Sequence, residues 1–278
     1  MPGDGGGGER GDGGEAGVNS RYIFGFTEGA DTERRGEKEL ENNAIGRFGK
    51  SAGTYAAIGN ETELEFGITD SLMAELGGLT AFHHIRNVPE LDDRTSFQFD
   101  GFATALKYQL FSRPINGFGL AFSAEPEWHR VSETSGDREN RYEVEFKAYA
   151  DGEIIARKMY WAVNFAYDPE VARIMEPGVG AVTERKSGFS ASGAVTGALM
   201  PSVFLGAELR YLSTFQGFGL NHFEGSGFYL GPTLSAKLSP KILVQVAYSH
   251  KLFGKTTTDD SDAMFERQQV RVRFVAEF

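Results

Sequence analysis

The last ten residues constrain the fold more than any other part of the chain. In Gln269-Val270-Arg271-Val272-Arg273-Phe274-Val275-Ala276-Glu277-Phe278 the even positions are apolar and the odd ones mostly charged. Side chains alternate between the two faces of a β-strand, so this segment is predicted as a strand with one apolar and one charged face. A soluble sheet can carry one such strand. Here, however, the same split recurs along the chain at 37–48, 61–69, 72–82, 102–110, 118–128, 142–148, 159–167, 189–199, 203–211, 228–238 and 241–251.

About twelve strands follow, and the connections between them alternate in length. Short turns are predicted near Asp70-Ser71, Pro114–Gly117, Gly152, Pro201 and Ser239-Pro240. Longer polar links are predicted near 85–95, 132–140, 168–186, 216–226 and 254–266. This pattern predicts an all-β fold, a single closed antiparallel transmembrane β-barrel with short periplasmic turns and longer extracellular loops. An even strand count puts both ends of the barrel on the periplasmic side. The aromatic residues then sort by height. Trp128, Tyr142, Tyr167, Phe189, Tyr211, Phe228 and Tyr248 fall towards one rim, and Phe66, Tyr108, Phe118 and Phe278 towards the other. Membrane interfaces favour such girdles, of which Trp128, Tyr142, Tyr167, Tyr211 and Tyr248 form the outer one.

Composition narrows the function. The 278 residues are 40% hydrophobic, yet no run approaches the roughly 18 apolar residues of a membrane helix. The 36 Gly, 23 Phe and 10 Tyr suit a closed β structure with tight turns. With no Cys, the chain has neither thiolate ligands nor a cysteine nucleophile. A net charge of −11 argues against nucleic acid as a partner. Six Met and five His without ligand spacing give no reason to expect a metal or cofactor. The chain opens MPGDGGGGERGDGGEAG, without the regions of a secretory signal peptide. Residues 1–19 read as a disordered Gly/acid tail, 20–35 as a periplasmic lead-in, and 36–278 as the barrel.

The terminal strand resembles the signal read by the bacterial barrel-assembly machinery, with Phe278, Ala276, Phe274, Val272 and Val270 in the alternating positions. The segments Gly36-Glu37-Lys38-Glu39-Leu40-Glu41, Arg47-Phe48-Gly49-Lys50 and Glu63-Leu64-Glu65-Phe66-Gly67-Ile68-Thr69-Asp70 resemble an uncharacterised family of proteobacterial, porin-like barrels. The resemblance implies an outer-membrane location, lipid as the surrounding partner and assistance from the assembly machinery; the barrel itself is expected to be a monomer. The resemblance implies no activity.

The polar face is expected to line the lumen. Its N-terminal half supplies Glu39, Glu41, Glu63, Glu65, Glu75, Lys107, Glu125, Glu127, Glu143, Glu145 and Lys147. The C-terminal half supplies Glu208, Arg210, Arg271 and Arg273. Barrel closure is expected to set Arg271 and Arg273 against Glu39 and Glu41. Hairpin geometry is expected to set Glu65 near Glu75, Glu127 near Glu145 and Glu125 near Lys147. One reading is a charged constriction that passes small solutes. Another is a salt-bridged interior that conducts little, in a structural or surface-interaction barrel. Adjacent carboxylates require a basic partner, a bound cation or a proton. A lipid-modifying enzyme is a third reading, prompted by Ser123, Glu125, Glu127 and His129 on one face. It is disfavoured because Ser123 and His129 lie roughly 20 Å apart along a strand, whereas a nucleophile and its base need about 3 Å. The chain is therefore expected not to be an enzyme.

Overall fold

The computed structural model describes residues 18–278 apart from 177, 179 and 258–264. Most of the expected N-terminal tail, residues 1–17, lies outside the described residues. The chain forms twelve antiparallel strands among those described: β1 Lys38–Phe48, β2 Thr54–Thr69, β3 Leu72–Arg86, β4 Arg94–Phe111, β5 Phe118–Val131, β6 Arg138–Ile155, β7 Met159–Glu176, β8 Gly180–Met200, β9 Val203–Gln216, β10 Phe223–Ser239, β11 Ile242–Thr256 and β12 Gln268–Glu277. Each strand pairs with its sequence neighbour, and β1 pairs with β12 from Glu39↔Glu277 to Phe48↔Gln268, closing the barrel. The Phe278 backbone N–H donates to the Lys38 carbonyl at 3.1 Å, so the last residue continues the closing ladder. In hydrocarbon this closure is obligatory, because an open edge would leave backbone donors and acceptors without partners.

The alternation in sequence becomes a radial sorting. Leu64, Leu76, Leu106, Phe122, Phe146, Phe165, Leu209, Leu230, Val272 and Phe274 are exposed on the outside. Glu39, Glu41, Glu63, Glu65, Lys107, Glu208, Arg271 and Arg273 are buried on the inside. An apolar belt of this extent would drive aggregation in water, whereas lipid tails solvate it. Of the assembly-signal residues, Val272, Phe274 and Phe278 are fully on the outer surface, with Val270 and Ala276 half-buried beside them.

The connections differ from expectation in three places. Gly152 is not a turn: β6 runs on to Ile155, and the chain reverses over 156–158. Gly152 lies beneath the Trp161 indole, whose Nε1 would be 2.5 Å from a Cβ at that position, so the glycine serves packing. The link expected over 168–186 is instead the continuation of β7 and β8, paired from Asp168↔Gly188 to Glu176↔Gly180. Beyond the bilayer both faces of a hairpin meet water, so the apolar alternation that marks a strand is lost. For the same reason Tyr167 sits midway along β7 rather than at its end, in a row with Phe146 and Phe189. The remaining girdle residues lie in similar rows: Trp128 with Phe102 and Tyr142, and Tyr211 with Phe228. Tyr248 faces Val270.

The third difference is the segment expected as a lead-in outside the barrel. Residues 20–33 fold up into the lumen. Tyr22, Ile23, Phe24, Phe26 and Ala30 are all buried. Ile23 and Phe24 pack with Tyr160, Ala162, Ala194 and Phe204, where small inward side chains on β7 and β8 leave room. Gly25 permits the closest approach to the far wall, since a Cβ there would lie 2.5 Å from Thr233 Cγ2 and 2.9 Å from Glu208 Oε2.

The outward face makes a direct prediction. Leu209→Arg, near the middle of β9, is expected to lower folding stability by about 2–4 kcal/mol, the penalty for a cation at the bilayer midplane. Denaturant titration in lipid vesicles measures it. A loss below about 1 kcal/mol would remove that face from the hydrocarbon.

Candidate functional site

The inward residues form two zones at different heights. The lower zone is filled by the N-terminal segment, and its bonds are mostly polar. The Glu208 carboxylate accepts the backbone N–H groups of Phe26 at 3.1 Å and Thr27 at 2.8 Å. Asn164 and Glu28 exchange two hydrogen bonds: the Glu28 N–H donates to Asn164 Oδ1 at 2.7 Å, and Asn164 Nδ2 donates to the Glu28 carbonyl at 2.8 Å. Lys107 donates to the Gly29 carbonyl at 3.0 Å, and Gln245 to the Tyr22 carbonyl at 3.1 Å.

Glu28 lies at the centre of this zone. Its carboxylate is 2.8 Å from Arg271, 2.5 Å from Arg273 and 3.6 Å from Lys147. Arg21 forms the matching cationic centre, 2.8 Å from Glu33 and 2.5 Å from Glu65, with Glu39 at 3.4 Å. The Tyr22 hydroxyl donates to Glu39 at 2.5 Å. The plug therefore carries one acid to the basic cluster and one base to the acidic cluster. Charges this deep are costly unless paired and hydrogen-bonded, so the segment and the wall need each other.

Above the plug lies a cavity of about 690 Å³, floored by Arg21, Phe26 and Glu28. Its lining holds eighteen carboxylates against nine Arg and Lys. The acids are concentrated on β1–β7, including Glu41, Glu63, Glu65, Glu75, Glu125, Glu127, Glu143 and Glu145, with Asp168 and Glu170. The opposite arc carries hydroxyls, among them Ser190, Ser192, Ser213 and Thr214, together with Arg210. Lys107 and Lys147 flank the Tyr149 ring at 4.1 and 5.1 Å from its centroid. Arg210 stacks on Phe26 at 3.7 Å.

The sequence-based lumen residues are all on the inward face, but their partners differ from expectation. Arg273 meets Glu41 at 2.6 Å, as closure suggests. Arg271 instead donates to Asn43 at 2.9 Å, and Glu39 is held by Tyr22 and Arg21. Glu65 lies opposite Glu75. Glu127 lies opposite Glu143 rather than Glu145, and Glu125 opposite Glu145 rather than Lys147. The β5–β6 ladder holds one register from Phe118↔Gly152 to His129↔Arg141, two residues from the expected one, and slips by a single residue between His129 and Val131. His129 lies opposite Arg141 in the ladder, but its ring nitrogens bond Asp100 at 2.7 Å and Glu127 at 2.9 Å. Ser123 bonds the Tyr149 hydroxyl at 3.0 Å. Glu39 and Glu208 lie below the cavity, engaged by the plug.

Arg21, Phe26 and Glu28 were missed because they precede the first alternating strand. A signal was present: Arg21-Tyr22-Ile23-Phe24-Gly25-Phe26 is too rich in large apolar residues for a solvated tail.

A closed antiparallel barrel with an apolar outer belt and a charged interior is a transmembrane β-barrel of the bacterial outer membrane. The chain belongs to the family of unknown function DUF6662, which it matches over residues 18–278. Its fold is similar to that of the COG4313 outer membrane channel from Pseudomonas putida F1, at 16% identity and a TM-score of 0.61, covering 90% of this chain and 98% of that one. It is also similar to the beta domain of the Bordetella autotransporter BrkA, at 11% identity and a TM-score of 0.55, covering 87% and 100%. A third similar fold is the translocator domain of the autotransporter NalP from Neisseria meningitidis, at 9% identity and a TM-score of 0.51, covering 90% and 91%. No curated protein matches the chain.

Because Glu28 links the plug to three basic residues, Glu28→Ala is expected to loosen the segment. In a chain without native cysteine, thiol labelling of Ala30→Cys reports this, since Ala30 is fully buried. Labelling is expected to be slow in the parent and clearly faster with Glu28→Ala. Equal rates would show that the plug does not depend on Glu28.

Proposed function

We propose that the protein is a narrow passive channel for small polar solutes, with a preference for cations, whose conduction is limited by the N-terminal plug. The observation that carries this reading is the cavity of about 690 Å³, in which carboxylates outnumber Arg and Lys two to one. A low-dielectric wall lined by one sign of charge concentrates counter-ions. A ring of carboxylates is a recurring way of selecting cations. The plug is held by hydrogen bonds and ion pairs as well as by the packing of Ile23 and Phe24, and its movement would open the wall charges it engages to the water of the cavity. It is thus suited to partial displacement without unfolding the barrel, whose own ladders close through β1 and β12.

We further take the barrel to act as a monomeric conduit rather than a catalyst, with β12 as its assembly signal. Ser123 is engaged by Tyr149, and His129 by two carboxylates. Neither arrangement supports a serine nucleophile activated by histidine. A second reading, a surface-interaction barrel, is favoured by one feature: the β7–β8 hairpin pairs continuously out to Glu176↔Gly180 and offers a rigid outer edge.

Planar-bilayer recording separates these readings. Full-length protein is expected to give small discrete steps, and removal of residues 1–34 to give larger ones. Under a salt gradient the reversal potential should have the sign of cation preference, weakened in Glu125→Gln/Glu143→Gln. A folded preparation that is silent in both forms would overturn the channel reading.

A further inference from the structure

Among the described residues, two groups of three carboxylates gather where β1 and β2 pair, one of them completed by Glu33 of the plug. In each, one oxygen per residue lies within 4.8 Å of the other two. The first group, Glu33, Glu39 and Glu65, already surrounds a cation, the Arg21 guanidinium. The second, Glu41, Glu63 and Glu65, is less completely balanced. Arg273 takes Glu41 at 2.6 Å and Arg21 takes Glu65 at 2.5 Å. Glu63, directly opposite Glu41 in the ladder, is only 7% exposed and has no hydrogen bond or ion pair among the described residues. A carboxylate held between two others, with no protein donor of its own, is stabilised by a bound cation or a proton, and its place on the cavity wall leaves it open to an ion.

We infer that Glu41, Glu63 and Glu65 bind a divalent cation of the calcium type on the inner wall of the barrel. The donor set is all oxygen and all carboxylate, which suits hard cations and not the softer metals that favour imidazole or thiolate. Oxygens coordinated at about 2.4 Å to one ion lie at most about 4.8 Å apart, and these three meet that limit. Calcium tolerates irregular geometry, whereas magnesium demands a near-ideal octahedron. All three residues border the cavity, giving an ion a route in and solvent to complete its shell. Glu75, opposite Glu65, adds negative charge nearby. The inference concerns binding alone and is independent of whether the barrel conducts.

The test uses full-length protein folded in detergent and stripped of divalent ions with a chelator. Calcium is titrated by calorimetry, and terbium emission is displaced by calcium as a second readout. One saturable site per chain is expected, with calcium preferred over magnesium. Glu63→Gln is expected to weaken binding by about tenfold or more, since affinity follows the charge of the ligand set. Glu90→Gln, in the exposed loop between β3 and β4, is expected to leave it unchanged. Heat-modifiable gel migration establishes that each variant is folded. If Glu63→Gln fails that criterion, Glu63→Asp replaces it, with weakened binding again expected. No saturable binding to the parent, or equal affinity in the folded position-63 variant, would overturn the inference.

Discussion

The hydrogen-bonded seam between β1 and β12 is the constraint on which the rest of the molecule depends. In hydrocarbon a strand edge has no water to bond, so the sheet must close on itself. Closure gives every strand an inside and an outside. The outside must be apolar, and the polar residues on alternate positions are confined within the barrel. The dense charge of the lumen follows from this geometry. Groups such as Glu39, Arg271 and Arg273 are buried because their outward neighbours Leu40, Val272 and Phe274 face lipid.

Confinement creates a second problem, which the N-terminal segment solves. Buried charges need partners, and the wall does not supply all of them. Arg271 and Arg273 share Glu28, and Glu39 and Glu65 share Arg21. Glu208 accepts two backbone N–H groups of the same segment. The plug is thus an inner layer of the barrel with complementary charge. Small side chains at Ala162 and Ala194 make the hollow that admits Ile23 and Phe24. Where the plug ends, the acidic wall from β1 to β7 is left facing an open cavity.

The legibility of the chain follows the bilayer. Within it, one face meets lipid, and alternation at Leu64-Glu65-Phe66 or Arg271-Val272-Arg273-Phe274 marks both strand and orientation. Beyond it, the constraint relaxes. Asp168–Glu176 and its partner strand carry polar groups on both faces, so they read as a loop despite continuous pairing. Gly152 carries the residue type of a turn but serves to seat Trp161. The register of the β5–β6 ladder left no mark in the residue pattern, and it sets Glu127 opposite Glu143 instead of Glu145. Tyr22, Ile23, Phe24 and Phe26 declared themselves only as apolar residues without a period, because a plug is neither strand nor amphipathic helix.

From the sequence alone came the barrel class, the strand order, the even-out parity of the last strand and the acidic bias of the inward face. All of these rest on a period of two residues set by local backbone geometry. Tertiary structure decided which inward charges meet. Arg271 and Glu28 are 243 residues apart in the chain, and their pairing depends on closure, register and the path of a segment with no periodicity. It likewise decided that the lumen is filled below and hollow above, and that Glu63 is left between two carboxylates already engaged by arginine. Those outcomes depend on three-dimensional packing across the barrel, which no local pattern encodes.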